Sequence, residues 1–262
     1  MKAINIRLDA PFITQGCATR ILRTIVELLL YHRGQIPFMY TTFRSMVRNL
    51  QLTDIDEDPF TASQLKKQRD QAKNVIHSAE LVFDAIENIM QQHAVRVLMV
   101  LFGRTIYTAK EAFTIELPTV DEDHYGQYHQ QSLEKIIRKI AMELTLSDEI
   151  VSGKGLMGST NVFVLIQSAV TPSSGMDQLD GFQLPSKCAE FVIRLQMADT
   201  SENTAVKCCK LLEVYREQTD SSQEPEVRKD KETEETLNSW FLLETVVSGY
   251  QAKFVKGNNI WK

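Results

Sequence analysis

The sequence predicts an α+β fold, a mixed or antiparallel sheet backed by three main helices, and three observations carry that prediction. Residues 95–103 read VRVLMVLFG, too apolar to leave a strand face in water, and AFTIEL follows within ten residues. The pair reads as one buried hairpin whose first strand lies inside a sheet covered on both sides and whose second alternates as a half-exposed strand does. Long amphipathic helical patterns flank this hairpin on either side. Strict alternation at Ile4, Ile6 and Leu8, and again over Glu190–Met197, adds strands far from the hairpin in sequence.

In chain order, MKAINIRLDA alternates as a strand does and has no apolar core of a signal peptide. From Ala18 to Tyr31, Ile21, Leu22, Ile25, Val26, Leu28, Leu29 and Leu30 cover so much of a helix that most of it must be buried. Gly34 and Pro37 stop it, and a short second helix follows over Tyr40–Leu50 with Phe43, Met46, Val47 and Leu50 at helical spacing. Asp54, Asp56, Glu57 and Asp58 form an acidic turn closed by Pro59. Leu65, Ala72, Ala79 and Ile86 then recur at sevens, with Val75/Ile76, Val82/Phe83 and Ile89/Met90 between them. They predict a helix of about 30 residues, roughly 45 Å long. Its direct run into the strand at Val95 favours packing along the sheet over a coiled-coil dimer.

After the hairpin, whose second strand alternates Phe113, Ile115 and Leu117 with Thr114 and Glu116, Pro118 and DEDHYGQYH lead to a third helix. That helix spans Gln130–Ser147, with Leu133, Ile136, Ile137, Ile140 and Leu144 as its stripe and Lys135, Arg138 and Lys139 along the other side. A strand over Thr160–Ser168, the FQLPSK segment and the strand over Glu190–Met197 come next. Thr204–Tyr215 fits a strand or a helix equally. Residues 217–236 are charged and Ser/Thr-rich, with no large apolar side chain beyond Val227, and cannot offset the entropy of ordering. They are expected to form a disordered insertion in a single domain that spans residues 1–262. Order returns over Leu237–Tyr250.

A hydrophobic fraction of 43% over 262 residues builds a full core without disulfides or metal. The four cysteines, Cys17, Cys188, Cys208 and Cys209, have no zinc-site spacing and fit reduced thiols. A net charge of −5 with mixed signs gives no general attraction to phosphate, so no nucleic-acid partner is expected. No segment reaches the length of a membrane span, so no membrane partner is expected either.

The search for chemistry finds little. Asp121, Glu122, Asp123, His124 and His129 are the best metal-ligand candidates, and a metal-dependent hydrolase is the remote reading they allow. His-x-x-x-x-His sets its two rings about 140° apart on a helix, unlike HExxH, and acids at a helix N-terminus are ordinary. GKGLMGS holds glycines and a lysine but leads into a strand, where a P-loop leads into a helix. The pair Cys208–Cys209 lacks the redox spacing, and no nucleophile elbow occurs. Lys66, Lys67, Arg69 and Lys73 are the densest basic cluster, without the aromatic platform that nucleic acid would call for. No catalytic residue, cofactor or metal site is therefore assigned. The balance favours a binding protein, and the third helix, whose stripe is wider than one sheet contact needs, is the candidate surface.

The element order and a series of motifs resemble one family. They are Tyr31, Arg33, Gln35, Pro37 and Tyr40 in YHRGQIPFMY; Arg96, Leu98, Leu101, Gly103, Lys110, Glu111, Phe113 and Glu116 in the hairpin; LEKIIRKI; Leu156, Met157 and Gly158; Pro185 and Ser186 in FQLPSK; and Tyr250, Gln251, Ala252, Phe254, Lys256 and Gly257. This is similar to the comet family of HORMA-fold proteins, which bind Mad-two and silence the spindle assembly checkpoint in mitosis. The resemblance implies a HORMA-like domain with a wrapped C-terminal segment and a non-enzymatic adaptor. Such an adaptor docks on closed Mad-two and presents it to the pachytene-checkpoint AAA+ ATPase, in the nucleus and cytoplasm and at the spindle or kinetochore. By position, the resemblance gives the Mad-two contact to Ile137, with Ile136, Ile140 and His32 beside it. The loop before FQLPSK has no Pro-Lys pair, which leaves Pro185, Ser186 and Lys187 as the ATPase-facing candidates. Gln251, Ala252, Lys253, Phe254 and Val255 take the place of a bound peptide, and alternating Tyr250, Ala252 and Phe254 predict a strand added to a sheet edge. An adaptor for another HORMA protein, in meiosis or DNA repair, is the alternative within the same class.

Overall fold

A computed structural model describes residues 2–10, 13–50, 59–93, 95–121, 128–151, 158–168, 175–197, 239–257 and 259–261. The acidic turn at 54–58, Glu122, Asp123 and His124, Leu156 and Met157, the segment 204–215 with Cys208 and Cys209, and the insertion at 217–236 lie outside these residues.

The chain is α+β, with one mixed sheet and several helices. Strand β1 (Lys2–Leu8) buries Ile4, Ile6 and Leu8 and exposes the residues between them, as its alternation predicts. A two-residue strand β2 (Ile13–Thr14) precedes helix α1 (Gln15–His32). This helix begins earlier than its apolar pattern because Thr14 caps it, its hydroxyl accepting from the Cys17 N–H at 3.3 Å. It ends where predicted, at Gly34, whose φ of 63° suits glycine. Helix α2 (Tyr40–Arg48) buries Tyr40, Phe43 and Val47. Helix α3 (Pro59–Gln92) is 34 residues long and opens on Pro59, which tolerates the first helical position because its missing N–H would have no partner there. Its stripe is buried within this chain, as expected of a helix lying along the body.

The hairpin is β3 (Val97–Gly103) and β4 (Ala109–Glu116), joined by a short 3-10 turn at Ile106–Thr108. Gly103 is required here, since a Cβ would meet Ala109 Cα at 2.6 Å and Thr108 O at 2.9 Å. After β5 (Val120–Asp121), which pairs with β2, come α4 (Tyr128–Leu146), the short α5 (Asp148–Val151), β6 (Asn161–Ser168), β7 (Met176–Leu179), β8 (Ala189–Met197), β9 (Ser239–Leu243) and β10 (Val247–Ser248). The sheet order is β1-β8-β4-β3-β6-β9-β7, which places the hairpin in the interior. Strands β1 and β4 run parallel to β8, while the remaining pairs of this sheet are antiparallel. Strand β10 pairs with the first residues of β6 and continues the line of β9 after an interruption.

Both faces of β3 are covered, as its apolar run predicts, and in β4 Thr114 and Glu116 stay partly exposed between buried Phe113, Ile115 and Leu117. Leu98, Val100, Phe102, Phe113 and Ile115 join the main core with the helices. Met99, Leu101 and Ala112 lie on the opposite face with Phe163 and Leu165, beneath Phe182, Leu184, Trp240 and Leu242. Among the described residues, no helix is long and apolar enough to cross a membrane.

Candidate functional site

Helix α4 is fastened by Leu133, Ile136, Ile140 and Leu144, spaced so that one stripe faces the core. Ile136 (5% exposed) and Ile140 (0%) are core residues. That corrects their assignment as contacts, because a side chain enclosed by its own core has no surface for a partner. Ile137 differs. It sits at the edge of the core, only partly buried, and two apolar side chains outside the stripe lie about 140° and 180° round the helix from it. Met142 is 57% exposed and Leu146 is 72% exposed.

His32, at the end of α1, borders this surface. Its Nε2 lies 3.4 Å from the Thr145 hydroxyl, and its ring meets that of Tyr31 edge-on at 5.4 Å. Burial, with a smaller contribution from neighbouring Arg33, lowers the imidazole pKa below its ordinary value and favours the neutral ring. Lys139 donates to Asp9 Oδ2 at 2.9 Å, whereas Lys135 and Arg138 are exposed. The sequence signal for His32 came from the resemblance alone, whereas Ile137 also belonged to the wide stripe of the third helix. Met142, Thr145 and Leu146 were missed, although all three follow from helical spacing once the buried stripe is known.

Arg33 moors the end of this region. Its side chain is fully buried, Nε stands 2.6 Å from Glu111 Oε2, and Nη1 donates to Ile150 O at 2.6 Å. The guanidinium also lies over the rings of Phe113 and Phe191, at 4.8 and 5.5 Å. Desolvation pushes the Glu111 carboxyl above the usual carboxylate range and the Arg33 guanidinium down, and their mutual attraction offsets part of each shift. One pair thus ties α1 to the sheet and to α5, directly after the candidate helix.

The second predicted site is a turn. Cys188 N–H donates to Pro185 O at 2.8 Å, Ser186 and Lys187 are exposed, and Phe182 and Leu184 anchor the segment on the sheet. Cys188 is half-buried and its thiol is pushed up to about 11, chiefly by burial, so it stays protonated at neutral pH.

The C-terminal segment departs from its predicted form. Pairing to the sheet stops at β10, and Gln251–Phe254 form no strand, with a lone bridge at Val255. Tyr250 is buried whereas Phe254 is 71% exposed, so the expected alternation fails. The reason is that side chains, rather than a neighbouring strand, hold this main chain. Gln68 of α3 accepts from Lys253 N–H at 2.9 Å and donates to Lys253 O at 3.0 Å. Buried Gln35 accepts Tyr250 N–H on its carbonyl and Thr160 N–H on its side chain, both at 2.7 Å. Gln251 donates to Gly34 O at 3.3 Å. Aromatic packing of Phe43 with Tyr250 and Trp261, and of Trp261 with Phe38, closes the end of the chain over the core.

Among the described residues no group of three or more His, Cys, Asp or Glu is arranged to hold a metal ion. The chain matches no protein-family model, and no curated protein matches it significantly.

Proposed function

We propose that this chain is a non-enzymatic adaptor with a HORMA-like domain of the comet type. In this reading it docks on closed Mad-two through the outer face of α4 and presents the complex to the pachytene-checkpoint AAA+ ATPase, silencing the spindle assembly checkpoint. Two observations support it. The sequence motifs resemble that family in order along most of the chain. The observation that carries the reading is on α4: after Leu133, Ile136, Ile140 and Leu144 have met the core, Ile137 stays partly exposed at the core edge, Met142 and Leu146 are exposed on the far side of the helix, and His32 reaches Thr145 between them.

On this reading Ile137 and His32 are contacts with Mad-two, and Lys135 and Arg138 form a polar rim. Pro185, Ser186 and Lys187 form the turn assigned to the ATPase, and residues 251–255 take the place of a bound peptide. Co-purification from dividing cells tests the whole proposal. A HORMA protein and a AAA+ ATPase are expected to come down together with the chain. Recovery of neither overturns the proposal, and recovery of a meiotic or repair HORMA protein without Mad-two overturns the choice of partner.

A further inference from the structure

Helix α3 carries its charges in two blocks. Lys66, Lys67, Arg69 and Lys73 stand in its first half and Glu80, Asp84 and Glu87 in its second, with Asp70 as the acid among the cations. Opposite the buried stripe, Lys66, Lys73, His77 and Asp84 form an exposed ridge, all within about 40° of one another around the helix axis. We propose that a second copy of this chain docks on this ridge in an antiparallel pair, the cationic half of each α3 against the anionic half of the other.

Three observations carry this. The first is that the segregation is unfavourable within a single chain. Lys66 with Arg69, Arg69 with Lys73, Glu80 with Asp84, and Asp84 with Glu87 are like-charge neighbours on adjacent turns. Cations before acids is also the reverse of the order that the helix dipole favours. The second is that the body of the protein compensates only Glu80, which pairs with Arg23 at 3.2 Å and Arg44 at 3.1 Å. Among the described residues Lys66, Lys73, Asp84 and Glu87 are exposed and belong to no ion pair. The third is symmetry. The two blocks balance about His77, so an antiparallel pair crossing there brings Lys66 to Glu87 and Lys73 to Asp84 of the other copy, and the reverse, across the roughly 8–10 Å between packed helix axes. A parallel pair sets like charge on like. The antiparallel arrangement has a two-fold axis and closes on itself, as most homodimers do. Leu81, 43% exposed, adds apolar surface close to the crossing point. Exposed ion pairs are individually weak, so the charges select the orientation and the association is reversible and sensitive to salt.

Sedimentation equilibrium of the full chain tests this. At low salt the average mass should rise with concentration from one chain toward two, and about 1 M salt, where the screening length is about 3 Å, should reverse the rise. Lys66→Glu/Lys73→Glu and Asp84→Lys/Glu87→Lys should each stay single, because every pair across the contact then repels, with circular dichroism unchanged to show an intact fold. Mixed in equal amounts, the two variants should associate again, since each supplies the charges that the other now needs. Asp70→Asn, which removes the acid from the cationic half, should tighten the association about twofold. A parent chain that stays single throughout, a dimer that persists in either charge-reversed variant, or a mixture of the two that fails to associate overturns the proposal. So does capture of a Glu-rich peptide by a chain that stays single, which would give the cationic half to a different partner. Ile137→Glu should self-associate as the parent does, so the result stands apart from whether α4 docks on Mad-two.

Discussion

Helix α4 and the C-terminal segment are both fastened to the same body, by opposite means. Four apolar side chains along one stripe hold α4, while Met142 and Leu146 on its far side stay exposed. The C-terminal segment is held through its main chain by Gln35 and Gln68, and through its side chains at Tyr250, Ile260 and Trp261. The difference teaches what each attachment tolerates. The hold on α4 depends on the identity of its own residues, whereas the hold at Lys253 depends on an amide belonging to another element.

The largest effect is expected at the buried pair that ties α1 to the sheet and to α5, directly after α4. Arg33→Met leaves the Glu111 carboxylate buried without its partner and should cost about 3–5 kcal/mol in chemical denaturation. The double change Arg33→Met/Glu111→Leu should recover much of that loss, because it removes both charges together. In the single variant the Glu111 pKa, already raised above 4.5 by burial, loses the attraction that lowers it. Its folded-state pKa then lies further above the unfolded value, so stability should fall more steeply as pH rises above about 4.5 than in the parent protein. A flat profile would mean that the carboxyl is reached by water.

Gln68→Leu separates the two attachments. It keeps the volume but strips both hydrogen bonds from Lys253, for an expected loss of about 1–3 kcal/mol. Hydrogen exchange should accelerate at the Lys253 amide and remain unchanged in α4. Equal acceleration in both regions would show that they open as one unit.

The smallest effect concerns His32. Its folded-state pKa is depressed, so the unfolded chain takes up a proton more readily, and the stability present above about 6.5 is lost as pH falls through the folded value. The thermal midpoint of His32→Asn should lack that component between pH 7 and pH 5.

The same contrast explains what was legible in the sequence. Helices α1, α2 and α4, the hairpin and strands β1, β6 and β8 follow from periodicity because burial of apolar side chains holds them. Polar residues in apolar slots were harder to read, yet they left a trace. Leu65, Ala72, Val75, Ala79, Val82, Ile86 and Ile89 form a three-four repeat in which the missing place is Gln68, and Gln68 is buried. Glu111 shares strand parity with Phe113 and Ile115, and it too is buried. A polar residue at a position where the pattern demands an apolar one marks a hydrogen bond or ion pair, but its partner is not in the pattern. Lys253 lies 185 residues from Gln68, and Glu111 lies far from Arg33 in the chain. For the same reason the predicted strand over residues 251–255 is absent but for a lone bridge at Val255: alternation specifies an extended chain, and here a side-chain amide takes the place of the neighbouring strand. On α4 the stripe was legible, but sequence alone could not separate Ile137 from Ile136 and Ile140, because one residue of helical rotation decides which of them faces out.

The central claim is that α4 presents a docking face, and Ile137→Glu tests it most directly. Ile137 lies at the core edge, so the variant should fold with a stability loss of about 1 kcal/mol. Calorimetric titration of the intact chain into purified closed Mad-two should give a one-to-one complex. With the variant that binding should weaken at least about a hundredfold, because the new carboxylate would be desolvated in an apolar contact. Equal affinity of the two chains, or no binding by the parent chain, would contradict the account.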